Sequence, residues 1–225
     1  MFVNDPMIFW VFVVFGFALY AQWKVNSAFN RWSKVYAKRG IKASEVASLI
    51  LNKAGLDIPV NSIRGRLTDH YNPINRTLNL SDAVYDSSSV AALGVAAHEA
   101  GHAIQHSKSF IPLVLRNGIY PLANLGSMLS YPLFILGIVL GFNKFLINIA
   151  IWLFGIATAF TIITLPVEFD ASRRAKVILA GEGYLTTEEM KGVDAVLDAA
   201  ALTYIAAALS AVVNLLRMIL LSRRD

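Results

Sequence analysis

The residues best suited to chemistry in this sequence are His98, Glu99 and His102, in the run His98-Glu99-Ala100-Gly101-His102. On an α-helix, side chains four positions apart share a face, so both imidazoles can present a ring nitrogen to one zinc ion at about 2.0–2.1 Å. Glu99 stands beside that face, where a carboxylate can take the proton of a water acidified by the ion. The pattern thus supplies two ligands and a general base for hydrolysis. Five residues with three fixed identities recur by chance, so context carries part of the weight. The chain has 4 histidines, and His98, His102 and His106 all fall in this one stretch. A buried His-Glu-His trio without a metal would be costly to desolvate; a polar stripe on an ordinary membrane-surface helix is the bland alternative.

A catalytic zinc takes a third protein ligand and keeps one position open. His106 lies two turns along the helix from His98, too far along the axis to share an ion with both motif histidines, and it does not fit the longer metzincin spacing. It is expected behind the ligands or at an interface. Among the carboxylates Glu168 is favoured. It stands in Pro166-Val167-Glu168-Phe169-Asp170-Ala171-Ser172-Arg173-Arg174-Ala175, where a helix starts directly after an apolar stretch that a hairpin can fold back toward the motif. A carboxylate there would also suit a helix N-terminus without any metal. For the developing oxyanion, His70 in Asp69-His70-Tyr71-Asn72-Pro73 is a candidate donor, with turn hydrogen bonding as its other use; Tyr184 and Tyr204 are weaker. Leu78-Asn79-Leu80-Ser81 is the candidate sheet edge for a substrate strand.

The elements that must position these residues are mostly apolar. With 56% hydrophobic and 16% charged residues among 225, and a mean hydropathy of +0.55, the chain lies far from the soluble average of about a quarter charged. A mainly α integral membrane protein is expected, with three to four membrane helices and a small β-hairpin or sheet. The net charge of +5 flanks apolar stretches and forms no nucleic-acid-reading motif, so the lipid bilayer is the expected partner and nucleic acid is not. There is no cysteine, which excludes disulfides and thiolate metal sites. No basic n-region precedes the first apolar run, so no cleaved signal peptide is expected.

Along the chain, residues 7–23 read as a first membrane helix. Residues 24–42 are basic with interleaved Phe29, Trp32, Val35 and Tyr36, fitting an interfacial helix or a solvated positive flank. A short helix follows over 44–54, capped by Ser44 and stopped by Gly55. Loose alternation over 56–80, broken at Asn72-Pro73-Ile74-Asn75, reads as strands. The Ser87-Ser88-Ser89 cluster should cap an Ala-rich motif helix over 88–107. Residues 119–142 and 145–166 form a transmembrane hairpin. A polar helix region spans 167–198, and 199–221 is a fourth membrane helix or an interfacial or re-entrant segment. Basic residues concentrate in 24–118 and 167–198, which places both on the cytoplasmic side. The whole is treated as one unit, 1–225.

At this point the sequence resembles the YugP-like neutral zinc metallopeptidases of bacterial membranes, similar in layout to the HtpX and CAAX prenyl protease membrane gluzincins. The resemblance rests on Leu67-Thr68-Asp69-His70-Tyr71-Asn72-Pro73, Leu78-Asn79-Leu80-Ser81, Ala96-Ala97-His98-Glu99-Ala100-Gly101-His102-Ala103-Ile104-Gln105-His106 and Pro166-Val167-Glu168-Phe169-Asp170-Ala171-Ser172. It implies a zincin-like site in the bacterial cytoplasmic membrane, with one Zn2+ held by His98, His102 and Glu168, Glu99 as base, and a membrane-associated or unfolded polypeptide as substrate. In the HtpX-like relatives an Asp follows the third-ligand Glu by four residues. Here Ser172 holds that place and Asp170 is displaced, so either residue could orient a ligand histidine. Two rivals compete. In a site-2-type intramembrane protease, Leu197-Asp198-Ala199 would supply the later ligand, but Asp86-Ser87-Ser88-Ser89 is too polar to precede a deeply buried motif helix. A non-catalytic membrane scaffold would leave Glu99 without a use.

Overall fold

The computed structural model describes residues 5 and 7–223. Among these residues, six α-helices and one three-stranded sheet follow in the order α1 (Ile8–Trp32), α2 (Ala43–Lys53), β1 (Val60–Ile63), β2 (His70–Asn72), β3 (Thr77–Ser81), α3 (Val90–Ser107), α4 (Ile111–Val139), α5 (Lys144–Gly181) and α6 (Thr187–Ser222). The chain divides into two compact units, where the sequence reads as one. Each of α1, α4, α5 and α6 contributes residues to both.

The first unit comprises Met1–Gln22, Val114–Leu165 and Thr203–Asp225. All 4 of its helices are long and apolar enough to cross a membrane, by length and composition. Large apolar side chains point outward along them, among them Phe12, Phe15, Val139 and Trp152, which in water would be an unusually large exposed apolar surface. Phe134, Ile147, Ala150 and Met218 pack inside this unit. Gly126 lets α4 approach the backbone of α5 at Leu153, where a Cβ would collide with the Leu153 carbonyl oxygen. Asp5 and Arg217 form an ion pair at 2.6 Å.

The second unit comprises Trp23–Leu113 and Pro166–Leu202. Its core gathers Val46, Ile50 and Leu51 of α2, Leu78 and Leu80 of β3, Leu93, Ala96 and Ala100 of α3, and Ala175, Leu179 and Val193 of α5 and α6. The sheet order is β1-β3-β2, with β1 parallel and β2 antiparallel to β3. An Asx turn at Asn72, whose Oδ1 accepts from the Ile74 and Asn75 amides at 2.9 and 3.3 Å, joins β2 to β3. Ser89 starts α3 by accepting the Ala92 amide proton at 3.3 Å, which satisfies one of the helix's orphan donors. A capping box opens α6, with the Glu189 carboxylate accepting the Thr186 amide at 2.7 Å and the Thr186 hydroxyl facing the Glu189 amide at 3.4 Å.

Several boundaries differ from the sequence reading. No separate interfacial helix forms over 24–42, because α1 continues to Trp32 and buries Phe29 in the second unit's core. Ser44 does not cap α2; Lys42 holds the cap position without a side-chain bond. Pro166 does not divide a membrane helix from a polar one, and α5 runs through it. Likewise α6 is one unbroken helix in place of a polar helix and a separate 199–221 segment. Leu78–Ser81 is the central strand, paired on both sides, and so offers no free edge.

Candidate metal centre

Helix α3 carries His98 and His102 on one face, with ring centroids 4.7 Å apart and planes at 86°. Helix α5 brings Glu168 against them, and Gly101 allows the approach. A Cβ on Gly101 would stand 2.9 Å from the carbonyl oxygen of Ala171 and 3.3 Å from its Cα, closer than side chains tolerate without backbone movement. The Glu168 Oε2 lies 3.3 Å from His98 Nε2 and 3.5 Å from His102 Nε2. One ligand atom from each of His98, His102 and Glu168 falls within 4.8 Å of the others.

The donor set fits zinc on two counts. Two imidazoles and one carboxylate are ligands of catalytic zinc sites, and donors around a tetrahedral ion with bonds of about 2.0–2.1 Å stand about 3.3 Å from one another. Glu168 is 4% exposed, where a carboxylate needs a cation beside it. Burial opposes a proton on His102, yet the hydrogen bond to Glu168 and the charges of Glu99 and Glu168 outweigh it and hold the His102 pKa above the ordinary imidazole value. The site therefore attracts positive charge.

Behind this cluster, the ring nitrogens that face away from Glu168 are both engaged. His98 Nδ1 lies 3.1 Å from Ser172 Oγ and His102 Nδ1 lies 3.0 Å from Gln105 Oε1. Gln105 is fully buried, and its Nε2 donates to the Val167 carbonyl at 2.8 Å and to Asp170 Oδ2 at 3.0 Å. Because both Nε2 partners are acceptors, the amide orientation is fixed. His102 Nδ1 must then be the donor, so Nε2 faces Glu168, with a lone pair in the neutral ring and with a second N–H in the imidazolium. Asp170 reaches His102 only through Gln105, while Arg173 and Arg174 hold it from the other side.

Glu99 is buried and its Oε2 accepts the Tyr71 amide at 3.0 Å. Since that N–H points away from β3, Tyr71 faces the free side of β2, and the sheet edge at Glu99 is β2. The Tyr71 hydroxyl meets His106 Nδ1 at 2.8 Å, so His106 stands apart from the ligand cluster. His70 does as well: its Nδ1 donates to the Thr68 carbonyl at 2.9 Å and its Nε2 faces Asn79 Nδ2 at 3.2 Å. Both nitrogens serve the turn and strand, which argues against an oxyanion role. Asp198 is ion-paired with Lys176 at 2.7 Å and is not among the convergent ligands. Sequence reasoning gave no role to Gln105 or Tyr71. The available signals were a glutamine three residues past His102, hence on the same helix face, and a tyrosine in the turn next to His70.

Over residues 7–223 the chain matches the protein family described as “Putative neutral zinc metallopeptidase”. The chain belongs to that family. It is also 48% identical over 221 residues to “Putative membrane protease YugP” of Bacillus subtilis (strain 168), covering 97% of this chain and 98% of that protein. No solved structure matches. Family membership implies zinc, and the four long apolar helices together with this relative make the chain a membrane protein.

Proposed function

We propose that this member of the family is a zinc-dependent endopeptidase, with one Zn2+ held by His98, His102 and Glu168 and Glu99 as general base. The observation that carries the reading is the convergence of these three ligand atoms with the far nitrogen of each histidine engaged by Ser172 or Gln105. When bound, zinc would acidify a water and polarise the scissile carbonyl. Glu99 takes the water's proton as its oxygen adds to the carbonyl carbon, and returns a proton to the leaving amine nitrogen as the C–N bond breaks. The Tyr71 amide holds the Glu99 carboxylate in place during both transfers. Gln105 and Ser172 keep the imidazoles oriented.

The substrate is a polypeptide, membrane-associated or unfolded, and it lies along the outer side of β2. This edge replaces Leu78–Ser81, because β2 is the strand that contacts Glu99. The distribution of Lys and Arg around the apolar stretches supports a site on the cytoplasmic side of a bacterial cytoplasmic membrane. Metal analysis of the purified protein, paired with cleavage of a broad unfolded substrate, tests the reading. Wild type should carry stoichiometric zinc and cleave; Glu99→Gln should keep the zinc and lose activity by orders of magnitude. Zinc retained in full by Glu168→Ala would sink the ligand assignment.

A further inference from the structure

The second unit holds a constellation that hydrolysis does not use. A cavity of about 520 Å3 is lined by Lys53, Lys108, Arg173 and Arg174, together with Ile104 and Val177. That volume lies within the range of small-ligand pockets. Lys53 pairs with Glu182, and both arginines pair with Asp170, so four cations face two carboxylates. Lys108 is exposed and has no carboxylate partner among the described residues. The Arg173 side chain is 71% exposed although it is paired. The Arg174 guanidinium stands 6.0 Å from the centre of the Phe110 ring, and Val177 is 65% exposed. Cationic forks above an apolar floor suit an anion that carries hydrocarbon.

The sequence positions of these cations favour lipid. Lys108 shortly precedes α4, and Arg173 and Arg174 lie about two turns beyond Pro166 in α5; both helices are long and apolar enough to cross a membrane. Basic pockets beside such helices recognise phospholipid headgroups, and guanidinium groups match phosphate oxygens in bidentate geometry. We propose that this cavity binds the phosphate of an anionic phospholipid headgroup. Its arginines also hold Asp170, which bonds Gln105 and through it His102, so occupancy bears on how firmly that histidine is held. This last link rests on the zinc-peptidase reading. The binding does not, and it is measured without metal.

The full chain, purified in neutral detergent, is exchanged into phosphatidylcholine vesicles with or without phosphatidylglycerol, re-extracted, and assayed for retained lipid. Wild type is expected to retain phosphatidylglycerol over phosphatidylcholine. Removing Lys53 and Lys108 as K53Q and K108Q should weaken retention about fivefold each, while K53R/K108R restores it and separates loss of charge from loss of fold. K191Q, whose lysine lies outside the cavity paired with Glu188, should retain lipid as wild type does. Equal retention of the two lipids overturns the proposal, as does wild-type retention in K53Q/K108Q. Displacement of the lipid by inorganic phosphate would reassign the site to free phosphate. Binding of an acidic peptide in place of lipid would overturn the lipid assignment in the same way.

Discussion

Replacing Gln105 with leucine removes one buried amide of similar size and three hydrogen bonds, at 3.0, 2.8 and 3.0 Å. Their losses are unequal. The Val167 carbonyl keeps its helical partner and Asp170 keeps Arg173 and Arg174, so each of those bonds is worth roughly 0.5–1.5 kcal/mol. The Nδ1–H of His102 is left buried without an acceptor, which costs roughly 1–3 kcal/mol. With zinc bound, that penalty acts on the orientation and basicity of the ligand, and loss of such a supporting group typically weakens metal affinity about 10–100-fold. The assay is the zinc dissociation constant, measured by competition with a chromogenic chelator, alongside thermal unfolding. Leu93→Val serves as the control: Leu93 is equally buried in the same helix, and losing one methylene costs roughly 1 kcal/mol of stability with no effect on zinc. Zinc affinity within twofold of wild type in folded Gln105→Leu protein would refute the argument that this amide holds His102.

Gly101→Ala should force α3 and α5 apart where a Cβ would stand 2.9 Å from the Ala171 carbonyl. A loss of roughly 1–3 kcal/mol in stability, together with weaker zinc binding, is expected; unchanged melting and affinity would show that the helices can slide freely. Tyr71→Phe removes only the hydroxyl on His106 and leaves the amide on Glu99 intact. It should cost roughly 1 kcal/mol of stability and leave kcat near wild type, so a large kcat loss would place His106 in the chemistry. Asp69, which accepts from the Ser81 amide at 2.7 Å and its hydroxyl at 3.0 Å, has its pKa raised by burial against the pull of those bonds. A carboxyl with a raised folded pKa contributes stability that is present below its unfolded value and lost as pH rises through the folded one. Asp69→Asn should flatten that part of the stability–pH curve, and an unchanged curve would exclude Asp69 as its source.

What was legible in the fold followed local rules. The motif helix announced itself through Ser89 and an alanine-rich run, and the apolar stretches through their length. Local rules also misled. Pro166 reads as a helix end, yet a proline costs one hydrogen bond that apolar surroundings and neighbouring helices can absorb, and α5 passes through it. Ser44 reads as a cap, but the preceding backbone at Lys42 already adopts the extended geometry that starts the helix. The sheet order was the least legible part. The β2–β3 hairpin carries a turn signal at Asn72-Pro73, whereas the parallel pairing of β1 with β3 is made across intervening chain and leaves no local mark. For that reason Leu78–Ser81 resembled an edge while being the centre.

The convergence of His98, His102 and Glu168 was legible because metal chemistry restricts residue type and spacing, and because Glu168 is a carboxylate directly after an apolar stretch. The supports were not, because hydrogen-bonding partners can come from many residue types at many separations. Gln105 shows why they still matter. A His-Glu-His face with its outer nitrogens free to rotate could be a polar stripe on any helix. Here one amide has its nitrogen committed to two acceptors, so its oxygen faces the His102 ring, and of the two neutral His102 tautomers only one fits. That tautomer directs an unprotonated nitrogen at the carboxylate 3.5 Å away. Two facing lone pairs repel unless a proton or a metal ion lies between them. A histidine whose Nδ1–H is held by the buried Gln105 amide and whose Nε2 faces a buried carboxylate is therefore set up for a proton or for the ion, and the network is the part of the site that a chance occurrence of the motif would lack.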